Sequence, residues 1–183
     1  MYEVELKLAV DHSEIEPKLE ALGAQRQGQT VQEDTYFDAP HRRFAETDEA
    51  LRIREESGDE SERIRLTYKG PLVDDRSKTR LEHETGVAEI APLRAILESL
   101  GFTPAVVVRK VRTRFSYDGY TVALDRVEEL GEFLEVETEV PGAELDAAHE
   151  GAADALAALD LDVDDQIRTS YLGLLLASRD ASE

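Results

Sequence analysis

The sequence predicts an α+β fold built on a largely antiparallel sheet. Two observations carry this. Eight segments alternate charged with apolar residues at a period of two, and four others read as helices bounded by caps and stops. The two kinds do not alternate as βαβ units would. With 183 residues, 41% of them apolar, the chain is expected to form one domain, 1–183, with a sizeable core.

Strands are expected over 2–9, 30–37, 50–55, 63–69, 79–87, 106–117, 120–127 and 133–140. Asp118-Gly119 lies between two of them and marks a hairpin turn. Ser13 is expected to cap a helix running to Leu22 and stopped by Gly23, with Pro17 in its early turns. Pro92 suits the first position of a second helix ending before Gly101. Residues 144–159, rich in Ala and Leu, form a third with a packing face. A fourth spans about 165–178; Tyr171 and 174–176 read as core, and the helix is a candidate cap for one end of the fold. The stretches 55–62 and 70–77 read as loops.

Charge narrows the function classes. There are 41 Asp+Glu against 21 Lys+Arg, a net charge of −20. Such a surface repels nucleic acid and anionic membrane, both of which require a basic footprint. No apolar run is long enough to span a bilayer. The first eight residues alternate charged and apolar and do not read as a signal peptide. A cytoplasmic location is expected, with no nucleic-acid or membrane partner and a monomeric or homodimeric state. The acidic, lysine-poor composition resembles that of proteins from salt-loving archaea. Cysteine is absent, which excludes thiolate metal sites. His12, His41, His83 and His149 are scattered without zinc-ligand spacing. Neither a nucleophile elbow nor a Walker loop is present.

The chemistry lies in the phase of the strands. Glu3, Glu5 and Lys7 share one face of the first strand, opposite Val4, Leu6 and Leu8. By the same alternation Arg52 pairs with Arg54, and Arg63, Arg65 and Lys69 align. Arg80, Glu82 and Glu84 share a face, as do Lys110, Arg112 and Arg114, and Glu135, Glu137 and Glu139. On any one strand, charges on a solvated face need no function. Jointly they are unusual: in so acidic a chain, basic residues gather at two-residue spacing on several strands while glutamates pair on two others. Like charges so close repel unless something of opposite sign sits between them. A triphosphate with Mg²⁺ or Mn²⁺ satisfies both clusters. Arg and Lys bind phosphate oxygens, and carboxylates supply hard ligands to a metal that bridges to the phosphates.

The residues resemble a known family. Glu3-x-Glu5-x-Lys7 is similar to the N-terminal ExExK signature of CYTH proteins, the triphosphate tunnel metalloenzymes. The resemblance continues in order through Asp34-Thr35-Tyr36-Phe37-Asp38, Leu51-Arg52-Ile53-Arg54, Tyr68-Lys69-Gly70 and Arg80-x-Glu82-x-Glu84. It ends with Lys110-x-Arg112, Leu124-Asp125-Arg126-Val127, Leu130-Gly131-Glu132-Phe133 and Glu135-x-Glu137. It implies an eight-stranded antiparallel β-barrel with a charged interior, flanked by helices. It implies that Glu3, Glu5, Glu135 and Glu137 serve Mg²⁺ or Mn²⁺. Phosphates would be held by Lys7, Arg52, Arg54, Lys69, Arg80, Lys110 and Arg112. Glu5, Lys7, Asp125 and Glu137 would stand nearest the reacting centre. Arg63, Arg65 and Arg114 match less well and read equally as rim ion pairs. The branch most resembled is that of class IV adenylyl cyclases, which turn ATP into cyclic AMP and pyrophosphate. Hydrolysis of thiamine triphosphate or tripolyphosphate is the alternative, and a binding module without turnover a third reading. The residue pattern does not separate the first two.

Overall fold

The computed structural model describes residues 2–58, 62–73 and 79–181. Eight strands lie among them: β1 (Tyr2–Ala9), β2 (Gln25–Asp38), β3 (Ala50–Gly58), β4 (Glu62–Leu72), β5 (Arg80–Val87), β6 (Thr103–Tyr117), β7 (Tyr120–Val127) and β8 (Gly131–Val140). Four α-helices join them: α1 (His12–Ala21), α2 (Ile90–Ser99), α3 (Leu145–Ala158) and α4 (Tyr171–Asp180). The strands close into an antiparallel barrel in the order β1-β5-β4-β3-β2-β6-β7-β8. Closure between β1 and β5 is brief, through Tyr2–Leu81 and Glu3–Arg80.

The barrel turns its apolar faces outward. Val4, Leu6 and Leu8 of β1 are buried on the outer face, Leu6 and Leu8 beneath helices, while Glu5 and Lys7 are buried on the inward face. Leu6, Leu124, Leu134 and Val136 meet Ile15 and Leu19 of α1 and Ala152, Ala155 and Leu156 of α3. Each fully buried leucine contributes about 1.5–3 kcal/mol. The alanines of α3 let it approach the sheet closely. At Gly151 an added Cβ would come 2.2 Å from the Tyr120 hydroxyl, which donates to the Ala148 carbonyl at 3.1 Å. Phe37 and Ile53 pack under Leu97 of α2. Helix α4 does something different. Its Tyr171 and Leu175 pack on Val106, Val108, Val127 and Phe133, which continue the lumen phase of β6, β7 and β8. It therefore covers one mouth of the barrel.

Several boundaries differ from the sequence reading. Strands β2 and β6 begin earlier, at Gln25 and Thr103, because they pair along nearly their whole length across two register shifts. Gly28, at φ 133°, sits at one shift. Strands β3 and β4 reach into the predicted loops, to Gly58 and Leu72; residues 59–61 and 74–78 lie outside the described residues. Helix α1 is capped by Asp11, whose carboxylate accepts from the Ser13 amide at 2.8 Å, rather than by Ser13. Pro92 falls at the third position of α2, still where amides have no helical partner. The fourth helix starts at Tyr171, not near 165; 163–165 is a 3-10 turn, and the Ser170 hydroxyl accepts from the Gly173 amide at 3.1 Å. Asp118 and Gly119, at φ 49° and 82°, make the expected hairpin turn. Among the described residues no helix is long and apolar enough to cross a membrane.

Candidate functional site

The lumen encloses a cavity of about 720 Å³. Close to half of the chain's 21 lysines and arginines line it, together with acidic side chains in near-equal number among the described residues. The excess of acid that gives the chain its charge of −20 therefore lies outside the lumen. A near-neutral cavity does not attract a tetra-anion by net charge alone. It offers fixed cationic forks and carboxylates at separate places, which suits an anion accompanied by cations.

Two arginine forks are the most firmly built parts. The Arg54 guanidinium donates to both oxygens of Asp34, at 2.7 Å each, with Arg52 3.6 Å from the same carboxylate. Burial would raise the Asp34 pKa, but Arg54 and Arg52 hold it well below the ordinary range. Two strands along the wall, on β6, Arg112 donates to Asp125 through Nε at 2.7 Å and Nη2 at 2.6 Å. It also reaches Glu135 and, at 3.3 Å, Glu137. Lys110 adds a bond to Asp125 at 2.9 Å, and the Tyr171 hydroxyl donates to it at 2.9 Å. Burial opposes the Asp125 charge, yet Arg112 and Lys110 keep its pKa depressed. Burial and Arg112 push the Lys110 ammonium pKa down.

The four expected metal-binding glutamates share the cavity wall. Strand register sets Glu5 opposite Glu137, Glu3 opposite Glu139 and Lys7 opposite Glu135. Burial raises the Glu137 pKa; Arg112 counters this, and Glu135, Glu3 and Glu5 raise it further. Glu3 accepts from Lys69, which also lies 2.8 Å from Glu82. Burial lifts Glu82 to about 7, with Lys69 opposing and Glu3 adding to it. Among the described residues no group of three acidic or histidine side chains is placed to hold a metal ion. The donor chemistry nevertheless fits Mg²⁺ or Mn²⁺, which keep waters and take one or two carboxylates beside phosphate oxygens. The mutual repulsion at Glu137 is what such a cation would relieve.

Not every expected residue lies on the cavity wall. Lys7 and Asp125 are 1% and 0% exposed and sit behind the lining. The Lys7 ammonium is 3.7 Å from Glu5 and 4.4 Å from the centre of the Tyr171 ring, which Lys110 also faces at 4.8 Å. Arg80 lines the cavity but donates to the carbonyls of Asp48 and Gly70 at 3.2 and 3.1 Å. Arg65 and Arg114 both pair with Glu56, and Arg63 also lines the cavity. Glu84 bonds Arg65 at 3.1 Å and Thr67 at 2.9 Å.

Sequence reasoning gave no role to Asp34, Gln32 or Glu56; Tyr171, expected in the core, is buried there and also donates its hydroxyl to Asp125. Asp34 and Gln32 share the phase that opposes Arg54 and Glu56 across β2 and β3. Alternation on that strand was the signal for them. His12 is structural: it is buried, with Nε2 2.9 Å from the Phe133 carbonyl.

Comparisons with known proteins agree with this geometry. A protein of Methanocaldococcus jannaschii bearing the name "Putative adenylate cyclase" is 39% identical over 95% of this chain and 98% of its own. The solved structure of the PH1819 protein from Pyrococcus horikoshii superposes with a TM-score of 0.90 at 39% identity, covering 97% and 99% of the two chains. A Hippeastrum protein described as a putative adenylyl cyclase with a dominant triphosphatase activity shares the fold at TM-score 0.64 and 18% identity, covering 96% and 95%. The pattern of the CYTH domain matches residues 1–171. With its closed eight-stranded barrel and charged lumen, the chain belongs to the CYTH domain family.

Proposed function

We propose that the lumen binds a nucleoside triphosphate with Mg²⁺ or Mn²⁺ and acts as a class IV adenylyl cyclase-like enzyme, converting ATP into 3′,5′-cyclic AMP and pyrophosphate. One observation carries this reading: two arginine forks, each anchored on a buried carboxylate, share a cavity with Glu3, Glu5, Glu135 and Glu137. Plain anion binding gains nothing from those glutamates. The name of the Methanocaldococcus relative supports the cyclase branch.

Arg54 and Arg112 hold phosphate oxygens in fixed orientation, because Asp34 and Asp125 pin their guanidinium planes. Lys69, Lys110 and Arg52 add charge along the chain of phosphates. Asp125 acts by positioning Arg112 and Lys110, and Lys7 stabilises the wall behind Tyr171. Glu3, Glu5, Glu135 and Glu137 would hold the cation, which neutralises phosphate charge and polarises the reacting phosphorus. In the cyclase reaction the ribose 3′-oxygen bonds to the α-phosphorus and pyrophosphate leaves. Catalysis is then mainly positioning and charge stabilisation.

Hydrolysis is the second reading, since the same groups serve an attack by water on the terminal phosphorus. The activity described for the Hippeastrum protein favours keeping it. Incubation with ATP, thiamine triphosphate or tripolyphosphate, each with Mg²⁺ and Mn²⁺, separates the two. Cyclic AMP with pyrophosphate supports the cyclase. Orthophosphate with ADP, thiamine diphosphate or pyrophosphate supports the hydrolase.

A further inference from the structure

Helix α4 sends one buried polar group into the charged lumen, the hydroxyl of Tyr171, its first residue. The place of this side chain is fixed from several sides. The Ser170 hydroxyl caps the helix start, and the Ile167 amide just before it donates to the Lys7 carbonyl at 2.6 Å. The Tyr171 ring meets Phe133 edge-on, 5.1 Å between centres. The covering helix and the strands that carry the cations therefore meet at this residue.

Tyr171 makes two kinds of contact. Its hydroxyl donates to Asp125 Oδ2 at 2.9 Å, beside the bonds from Lys110 and Arg112 Nη2. A carboxylate has about four acceptor sites. With Arg112 Nε on Oδ1, four donors fill them. A filled carboxylate cannot swing, so the Arg112 plane and the Lys110 ammonium are held. Burial, with Glu135 and Asp125 nearby, pushes the Tyr171 pKa well above the ordinary range, so the hydroxyl keeps the proton it donates. The ring faces two buried ammoniums, Lys7 at 4.4 Å and Lys110 at 4.8 Å from its centre. A carboxylate in its place would pair with them and cancel their charge. An aromatic face attracts a cation without neutralising it. The ring thus orients both ammoniums and leaves their charge to act on an anion in the lumen. Packing against Phe133 and Val108 would need only a phenylalanine here.

We propose that Tyr171 is a positioning residue of the triphosphate site. It acts through Asp125, Lys110 and Arg112, so the helix that covers the barrel mouth sets the orientation of the phosphate-binding cations. The inference rests on the triphosphate reading above and adds to it a residue from outside the barrel.

The test compares Tyr171→Phe and Tyr171→Leu with wild type, each in the full chain and shown folded by circular dichroism at the assay temperature. Calorimetry in Mg²⁺ with a methylene-bridged ATP analogue, which does not turn over, reads affinity. Steady-state turnover of the best substrate among ATP, thiamine triphosphate and tripolyphosphate reads kcat and KM. Phenylalanine keeps the ring and loses the hydroxyl. The charges stay, so affinity for the analogue should remain within about threefold of wild type, while lost orientation should lower kcat about tenfold or more. Leucine loses the ring as well and should also weaken the analogue about tenfold or more. A residue that served only the fold would give folded variants with the kcat and affinity of wild type. Unchanged kcat in Tyr171→Phe would therefore overturn the inference, and so would equal loss of affinity in the two variants. Where wild type binds the analogue but turns nothing over, the affinity comparison alone decides. Failure of wild type to bind the analogue would overturn the triphosphate reading and this inference with it.

Discussion

Substitution of Asp125 by Asn should cost far more stability than a change of one charge on the surface. Asp125 is fully buried and accepts from four groups: Arg112 Nε and Nη2 at 2.7 and 2.6 Å, Lys110 Nζ at 2.9 Å and the Tyr171 hydroxyl at 2.9 Å. Asparagine keeps the shape but removes the charge, and its amide turns two hydrogens toward cationic donors. Loss of one partner of a buried pair costs about 3–5 kcal/mol. That is a large share of the roughly 5–15 kcal/mol that holds a domain folded. Arg112 retains Glu135 and Glu137, so the lower end of the range is expected. Urea unfolding followed by circular dichroism at neutral pH measures the loss. Arg112→Met in the same background completes a double-mutant cycle, and the double variant should lose less than the two singles added together. The stabilisation also has a pH signature. Because the folded Asp125 pKa is depressed by Arg112 and Lys110 against burial, it is present above about pH 4 and lost as pH falls further. A loss below about 1 kcal/mol for Asp125→Asn, or strict additivity in the cycle, would refute the reasoning.

Other outcomes follow from the same lumen. Turnover should require Mg²⁺ or Mn²⁺, and Glu5→Gln and Glu137→Gln should each abolish most of it while the fold survives; full activity in chelator would remove the metal role. Arg54→Ala should weaken triphosphate binding roughly tenfold to over a hundredfold, and monophosphate binding far less, by calorimetry. Burial lifts Glu82 to about 7, so its contribution to stability is present below about pH 4.5 and lost as pH rises through 7. Glu82→Gln should therefore gain on wild type in unfolding free energy, measured with urea, from about pH 5 to about pH 8, by up to about 3 kcal/mol; a gap independent of pH would contradict this. At a net charge of −20, molar KCl should raise the melting temperature, since screening shortens to about 3 Å at 1 M, and affinity should fall only modestly. A melting temperature flat or falling with salt would refute the salt-loving reading and leave the site untouched.

Much of the lumen was legible because a strand keeps strict phase. Glu3, Glu5, Arg52, Arg54, Lys110, Arg112, Glu135 and Glu137 fall on the side their spacing assigns. Glu56 was missed because 55–62, rich in Ser, Gly and acid, reads as a loop, although β3 runs on to Gly58. Tyr171 is in the core as expected, but its hydroxyl bond to Asp125 was not legible, and starting the last helix too early hid the Ser170 cap. The partners of each arginine were not legible. They depend on register between strands far apart in sequence, as for Arg54 with Asp34 and Arg112 with Asp125.

The most direct test of the central claim is a crystal structure of the chain with Mn²⁺ and a methylene-bridged ATP analogue, using anomalous scattering to place the metal. The account predicts Mn²⁺ in the lumen on carboxylates drawn from Glu3, Glu5, Glu135 and Glu137. It predicts the triphosphate between the Arg54 and Arg112 forks. Metal and phosphates bound only on the outer surface, with the lumen ion pairs undisturbed, would contradict it.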